Sequence, residues 1–157
     1  MHLEQAIHGG KESGADRATK RFALARQWAP DPEAMVATRF AAADWLQSSA
    51  DRAGAIAEYQ EVIESLATTP HDDIVAGEEA RRRILRILSV EGRAAYAAVE
   101  ERAVRSLADA VRSGSADDLR RVVERFPNSL AAEDALLRLA QERLDAGDPE
   151  GTRAELR

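Results

Sequence analysis

Residues 114–147 read GSADDLRRVVERFPNSLAAEDALLRLAQERLDAG, and this stretch decides the fold. Gly114 and Gly147 stand 33 residues apart, and each closes a run of apolar residues at helical spacing. Glycine is the usual residue in the left-handed position that follows a helix. Between the two glycines, Pro127-Asn128-Ser129 interrupts the pattern. The stretch therefore predicts two helices joined by a turn, one from Ser115 to Phe126 and one that ends before Gly147.

The spacing of apolar residues in this stretch also predicts which side chains face the core. Ser115 and Asp118 resemble a capping box at the start of the first helix, although Asp stands where Glu or Gln is usual. The predicted inward residues are Leu119, Val122, Val123 and Phe126 in the first helix, and Ala132, Leu136, Leu139, Ala140 and Leu144 in the second.

The same signals predict five helices upstream. The first runs from Ala15 and ends before Pro30, because the residue before a proline is pushed out of the α region. Asp31-Pro32-Glu33 then supplies a cap, a proline at the first helical position and an acid in the first turn, which starts a second helix that runs to about Ser48. After Ser48-Ser49 the apolar pattern restarts, which predicts a third helix with one apolar face. The predicted inward stripes are Ala18, Phe22, Ala25 and Ala29 with Leu24 and Trp28 beside them, then Val36, Phe40, Ala43 and Gln47, then Ile56, Tyr59, Ile63 and Leu66.

The fourth and fifth predicted helices follow a break at Thr68-Thr69-Pro70. Asp72 or Asp73 is predicted to cap the fourth helix, and Gly92 marks its end or a bend. The fifth helix ends at Ser113-Gly114. The predicted apolar sides are Val75, Ala80, Ile84, Ile87 and Leu88 in the fourth helix, and Tyr96, Val99, Val104, Leu107, Ala108 and Val111 in the fifth.

The chain as a whole is predicted to be all-α. No alternating run of β-branched residues bounded by turn residues is present, so the sequence predicts no strand. Residues 1–14 are interpreted as a flexible lead-in, and residues 15–157 as one helical repeat domain. Asp148-Pro149-Glu150 repeats the start signal of the second helix, and the chain leaves this eighth helix after about two turns. The domain is therefore expected to be truncated at its C-terminus.

Composition narrows the classes of partner. The formal net charge is -6, and acidic and basic residues alternate along the chain, so nucleic acid is not an expected partner. No apolar run approaches the ~18 residues that a membrane span needs, so no membrane insertion is expected.

Cysteine is absent, which excludes disulfides and thiolate metal sites. Glu78-Glu79 precede Arg81-Arg82-Arg83 at the spacing of ordinary ion pairs on a solvated helix face.

Residues 32–66 resemble the tetratricopeptide repeat, a helix pair of 34 residues with small residues where its helices cross. Ala42-Ala43 takes the large-then-small place of the first helix. Ala55, Tyr59, Val62 and Ile63 take the small, aromatic, small and aliphatic places of the second. Leu139-Ala140 and Gly147-Asp148 match the same pattern. The resemblance implies αα-hairpin repeats wound into a right-handed superhelix.

A second resemblance concerns context. The stretch RFPNSLAAEDALLRLAQERLDAGD, residues 125–148, is similar to tetratricopeptide-type helices of bacterial cell-envelope proteins. Together with EGRAAY, residues 91–96, it resembles the helical segment that precedes a pyrroloquinoline-quinone-type β-propeller in some large bacterial proteins. This resemblance implies a periplasmic or cell-envelope scaffold, and it carries over no cofactor-binding residue. We expect no cofactor.

Candidate sites of chemistry are few. The histidines His2, His8 and His71 stand in no spacing that builds a metal site, so no metal ligands are assigned. Adjacent acids on a helix point about 100° apart and do not share a cleft, so no catalytic residues are assigned and the chain is not expected to be an enzyme. The aromatic residues Trp28, Trp45, Phe40 and Tyr59 are interpreted mainly as core.

The remaining site hypothesis uses the tetratricopeptide register, in which the first helix of each pair lines a concave face. The predicted partner-binding residues are Phe40, Asp44, Gln47, Leu137, Gln141 and Leu144. Such a groove would hold a partner helix or an extended peptide. We therefore expect a non-catalytic interaction or scaffold module within a larger protein. Two alternatives remain open: a self-associating structural segment that forms a homo-oligomer, and a helical bundle that binds a ligand.

Overall fold

A computed structural model describes residues 13–147, and this part of the chain is all-α. Its seven α-helices are α1 (Gly14–Gln27), α2 (Pro32–Ser48), α3 (Arg52–Ser65), α4 (Ala76–Glu91), α5 (Ala97–Ser113), α6 (Ala116–Arg125) and α7 (Leu130–Asp145). A 3-10 turn at Arg93–Tyr96 precedes α5. Most of the predicted lead-in and the predicted eighth helix lie outside the described residues.

Most predicted helix boundaries are confirmed, and their caps explain why. The Asp31 carboxylate accepts from the amide of Ala34 at 2.8 Å, with Pro32 in the first helical position. Gly114 and Gly147 have φ angles of 66° and 76°, the left-handed conformation that favours glycine. The first helix starts at Gly14, one residue earlier than predicted, because Ser13 and Asp16 form a capping box.

The predicted capping box of α6 forms only in part. Ser115 Oγ accepts from the Asp118 amide at 3.4 Å. The Asp118 carboxylate does not return to Ser115, because it accepts a 2.5 Å hydrogen bond from Ser113 Oγ and pairs with Arg121. The helix therefore begins where predicted, with one of the two expected contacts.

The start of α4 corrects two predictions. Neither Asp72 nor Asp73 caps the helix; they form the turn of a short antiparallel ribbon between β1 (Pro70–His71) and β2 (Ile74–Val75). The prediction of no strand is therefore wrong for these four residues. Backbone carbonyls replace the cap: the Ala76 amide donates to Thr69 O at 2.9 Å, and the Gly77 amide donates to Ala67 O at 3.0 Å. A Cβ at position 77 would lie 2.9 Å from Ala67 Cα, so glycine permits this close approach.

Helix packing divides the described chain into two groups. Helix α3 packs between α2 and α4, whereas α5, α6 and α7 pack on one another. Among residues 13–147, α4 and α5 do not form a packed pair, because Gly92, with a φ of 76°, and the 3-10 turn redirect the chain between them. One continuous core joins the groups. The alanines at its helix crossings are fully buried, namely Ala43, Ala55, Ala76, Ala80, Ala103 and Ala135.

Several predicted core residues are exposed instead. In α5, Val104 is 53% exposed and Val111 is 44% exposed, because the buried stripe runs through Val99, Ala103 and Ala110. These residues, spaced by four and seven positions, occupy one face of the helix. Trp28 is 76% exposed because it caps the C-terminus of α1, so its interpretation as core is wrong. Leu24 and Leu144 are also more than half exposed.

Ion pairs to arginine join helices that are distant in sequence. The Glu64 carboxylate on α3 pairs with Arg102 of α5 and, at 2.8 Å, with Arg125 of α6. Glu58 on the same helix accepts from Arg26 of α1 and Arg39 of α2, both at 2.8 Å. Glu64 therefore links α3 to the second group, and Glu58 links it to α1 and α2.

Candidate functional site

The predicted binding residues Asp44 and Gln47 lie on α2 around the hydroxyl of Tyr59. Gln47 Nε2 donates to the Tyr59 oxygen at 2.7 Å, and the Tyr59 hydroxyl donates to Asp44 Oδ1 at 3.0 Å. Arg83 of α4 donates to the same Asp44 oxygen at 2.8 Å. We call these four residues, Asp44, Gln47, Tyr59 and Arg83, the Tyr59 cluster. Its members are paired with one another.

The third predicted residue of α2, Phe40, is buried beside this cluster. The Arg83 guanidinium carbon lies 4.7 Å from the centroid of the Phe40 ring, a cation–π distance. The His71 ring is parallel to Phe40, with centroids 4.6 Å apart. Phe40 is only 4% exposed. Its contacts are therefore those of a core residue.

The electrostatics of the Tyr59 cluster favour a structural role. Burial raises the pKa of Tyr59, although the hydrogen bond from Arg83 opposes this shift. The pKa of Arg83 is also raised: burial works against its charge, but hydrogen bonds to Glu79 and Tyr59 outweigh burial. A cavity of about 290 Å³ adjoins the cluster and is also lined by Arg86. Both shifts move titration away from neutral pH, so this cluster is not poised for acid–base chemistry.

The other half of the predicted site lies on α7. Leu137 is 62% exposed and Leu144 is 51% exposed, while Gln141 Nε2 donates to Asp145 Oδ1 at 2.7 Å. Gln141 lines a cavity of about 290 Å³ with Ala110. Neither this cavity nor the one beside Tyr59 is lined by residues of both predicted halves. A single groove through all six residues stays a prediction.

A larger cleft lies elsewhere, between α4 with the end of α3 and the α6–α7 hairpin. Its volume is about 770 Å³. We call it the interhelix cleft. Its lining is Ile63, Ala67, Thr68, Val75, Gly77, Glu78, Arg81, Leu85, Arg93, Val123, Glu124, Pro127, Asn128, Ala132, Glu133 and Leu136. Sequence reasoning missed this site because its walls come from positions up to 73 residues apart, Ile63 to Leu136.

The turn between α6 and α7 positions one wall of the cleft. Ser129 caps α7 through a 2.9 Å hydrogen bond from the Ala132 amide. Glu100 of α5 accepts from the Leu130 amide at 2.9 Å, which adds a carboxylate at the positive end of α7. Arg93 donates to Glu100 at 2.7 Å and to the Asn128 carbonyl at 2.9 Å. The two segments of the second resemblance, residues 91–96 and 125–148, thus meet at this turn.

Asn128 lines the interhelix cleft with an unsatisfied side chain. The residue is 6% exposed. Its Nδ2 donates to Arg81 O at the long distance of 3.4 Å, and its Oδ1 accepts no hydrogen bond from the described residues. Buried polar atoms are usually paired, because an unpaired one costs about 1–3 kcal/mol. The Oδ1 atom itself is shielded from solvent, so a donor in the cleft would reach it only after the Asn128 side chain rotates toward the cleft.

Within residues 13–147, no three His, Cys, Asp or Glu side chains are grouped as metal ligands. His2 and His8 lie outside the described residues. None of the seven described helices has the length and hydropathy of a membrane span.

Glu79 and Glu78, predicted as partners of the arginine run, differ in outcome. Glu79 accepts from Arg83 at 2.8 Å, which lowers the pKa of Glu79. Glu78 forms no ion pair with a described residue. The ion-pair prediction is thus confirmed for Glu79 alone.

Comparisons with protein-family models, with curated proteins and with solved structures find no match to this chain.

Proposed function

We propose that this chain is a non-catalytic interaction or scaffold module of tetratricopeptide-like helical hairpins, which binds a segment of another protein in the interhelix cleft. The packed pairs α2–α3 and α6–α7 support the hairpin organisation. The redirected connection between α4 and α5 departs from a regular repeat and opens the space that the cleft occupies. The cell-envelope context stays a prediction of the resemblance.

The observation that carries this proposal is the cleft's combination of apolar walls and one buried, unpaired acceptor. Ile63, Val123 and Leu136 offer apolar surface, and Asn128 Oδ1 lacks a donor. An extended peptide carries a backbone N–H at every residue except proline, together with side chains that fill apolar pockets. The contacts of Phe40, Asp44 and Gln47 with their neighbours make the Tyr59 cluster a less available surface.

Photo-crosslinking tests the location of binding. A benzophenone amino acid replaces Leu85, a cleft residue that is 47% exposed, or Val104, a residue outside the cleft that is 53% exposed. In the native host, we expect adducts to a discrete protein from position 85 and few from position 104. Mass spectrometry of the adduct identifies the bound segment. Equal labelling from both positions, or none from position 85, contradicts the proposal.

Self-association is a second candidate, favoured by one observation. Leu130, Leu137 and Leu144 recur every seven residues on α7 and are each more than half exposed. Such spacing places them on one face, as at a helix–helix interface. Light scattering over a concentration series tests this function: a mass that rises with concentration, and that Leu137→Glu returns to that of the monomer, supports it. A constant monomer mass contradicts it.

A further inference from the structure

The interhelix cleft contains three carboxylates that lack a cationic partner. Glu78, Glu124 and Glu133 all line it. Within the described part of the chain, none of the three side chains forms an ion pair or a hydrogen bond. The chain does not lack cations, since it has 22 lysines and arginines. Three carboxylates without a cationic partner among the described residues therefore line the same cleft.

Local helix energetics explain two of these acids and leave the third unexplained. Glu78 and Glu133 lie near the N-termini of α4 and α7, where the helix dipole favours negative charge. Glu124 lies in the last turn of α6, where the dipole disfavours it. Its neighbour Arg125 is turned away to Glu64, at 2.8 Å. Helix stability alone would therefore favour a cation, not Glu124, at this position.

The cations of the cleft cancel only part of this charge. Arg93 is paired with Glu100 and also donates to the Asn128 carbonyl. Arg81 is the one lining cation that has no carboxylate partner among the described residues. The polar lining is therefore dominated by acceptors: three free carboxylates and the unpaired Asn128 Oδ1.

From this charge pattern, and resting on the proposed function, we infer that the bound segment is cationic. It carries lysine or arginine side chains interleaved with apolar ones. The cationic groups meet Glu78, Glu124 and Glu133, and the apolar ones contact the walls near Ile63 and Leu136. An N–H of the segment donates to Asn128 Oδ1 once that side chain has rotated toward the cleft. Complementary charge across an interface sets specificity and association rate more than affinity, so acidic segments are rejected.

A matched pair of variants tests this inference on the full chain. The cleft variant combines Glu78→Gln, Glu124→Gln and Glu133→Gln. The control variant combines Glu33→Gln, Asp73→Asn and Glu142→Gln, three acids outside the cleft whose side chains are likewise unpaired among the described residues. Each variant loses three negative charges, so they differ only in where the charge is removed. Circular dichroism melting checks that both fold as the parent does.

The probe is a random dodecapeptide library displayed on phage, selected against the parent chain. We expect the selected peptides to be enriched in lysine and arginine alternating with apolar residues. A consensus peptide should bind the cleft variant about tenfold more weakly, because each exposed ion pair contributes modestly and three are lost. The control variant should bind within about twofold of the parent, because surface charge outside the contact changes affinity little. Fluorescence anisotropy measures both.

The outcomes separate the inference from the proposed function. Selected peptides without basic enrichment that still compete for the cleft overturn the cationic partner and leave segment binding intact. Basic peptides that bind both variants equally well show attraction to the net charge of the chain and overturn the inference. Failure to select any peptide overturns both. Asn128→Ala supplies an independent measurement, with an expected loss of about fivefold to tenfold in affinity.

Discussion

The Tyr59 cluster and the interhelix cleft are both polar regions between helices, and they differ in how their polar atoms are satisfied. In the cluster, Tyr59 contacts Gln47 at 2.7 Å and Asp44 at 3.0 Å, and Arg83 closes the network. In the cleft, Asn128 Oδ1 has no donor among the described residues. The first region stabilises the fold by pairing its own groups. The second contains a buried acceptor without a donor and three carboxylates without a cationic partner among the described residues.

This difference predicts opposite responses to substitution. A paired network loses free energy of unfolding when one member is removed, because its partners are left unsatisfied. An open cleft loses binding instead, because its groups contribute little to folding.

Removal of the Tyr59 side chain should have the largest effect. Tyr59→Ala is expected to lower the free energy of unfolding by about 3–5 kcal/mol, because a fully buried aromatic body and its hydroxyl are both lost. Tyr59→Phe, the control, keeps the ring and should cost about 1–1.5 kcal/mol. Urea denaturation followed by circular dichroism measures both. Equal losses in the two variants would show that the hydroxyl network, rather than ring packing, dominates.

Substitution by lysine in the two halves of the predicted groove should have the next largest effect on stability. Asp44→Lys removes the acceptor of Tyr59 and Arg83 and places a cation beside Arg83, which should cost about 1–2 kcal/mol after allowance for partial exposure. Gln141→Lys, on exposed α7, should change stability by less than about 0.5 kcal/mol. Thermal melting compares them. Similar melting temperatures would mean that the contacts of Asp44 contribute no more to stability than those of the Gln141 side chain.

Local signals explain why much of the fold could be predicted. Asp31, Ser129, Gly114 and Gly147 determine helix ends through contacts within about four residues, so the sequence contains the cause. The start of α4 could not be predicted, because its first amides are satisfied by carbonyls of residues 67 and 69 rather than by a side chain. The apolar pattern of α5 was compatible with more than one buried face. Packing against α6 and α7 selected the face that contains Ala103.

The candidate site was less accessible to sequence reasoning. The spacing of Asp44 and Gln47 correctly placed them together on α2, but the hydroxyl that engages them comes from α3. The interhelix cleft depends on how α4 and the α6–α7 hairpin diverge, which no local pattern encodes. Asn128 was predicted only as a turn residue. A buried acceptor without a donor becomes visible only when the neighbours are known.

Alkaline pH should destabilise the fold gradually through the two buried tyrosines. Burial raises the pKa of both tyrosines of the chain, Tyr59 and Tyr96, above the ordinary value of 10.0. The unfolded chain therefore releases these protons at lower pH than the folded chain. Their stabilisation is complete below pH ~10 and is lost as pH rises further, by about 1.4 kcal/mol per pH unit for each phenol until that phenol also ionises in the folded chain.

Absorbance at 295 nm and circular dichroism, recorded together from pH 9 to 12, test this prediction. Phenolate should form at higher pH in the folded chain than in the unfolded chain, and Tyr59→Phe should make the decline in stability above pH 10 shallower. Ionisation of both tyrosines near pH 10 with ellipticity unchanged would contradict the burial of their hydroxyls.

Asn128→Ala should have the smallest effect on stability. The free energy of unfolding is expected to change by less than about 0.5 kcal/mol, because the lost 3.4 Å hydrogen bond is offset by removal of an unpaired buried oxygen that itself costs about 1–3 kcal/mol. The backbone contact from Arg93 to the Asn128 carbonyl is kept, so the turn before α7 should remain in place. Asp44→Asn, which alters an acceptor of the paired cluster, is the matched comparison and should cost more. If Asn128→Ala costs over about 2 kcal/mol in urea denaturation, a typical value for loss of a satisfied buried group, its carboxamide supports the fold as Tyr59 does, and the contrast between the two regions disappears.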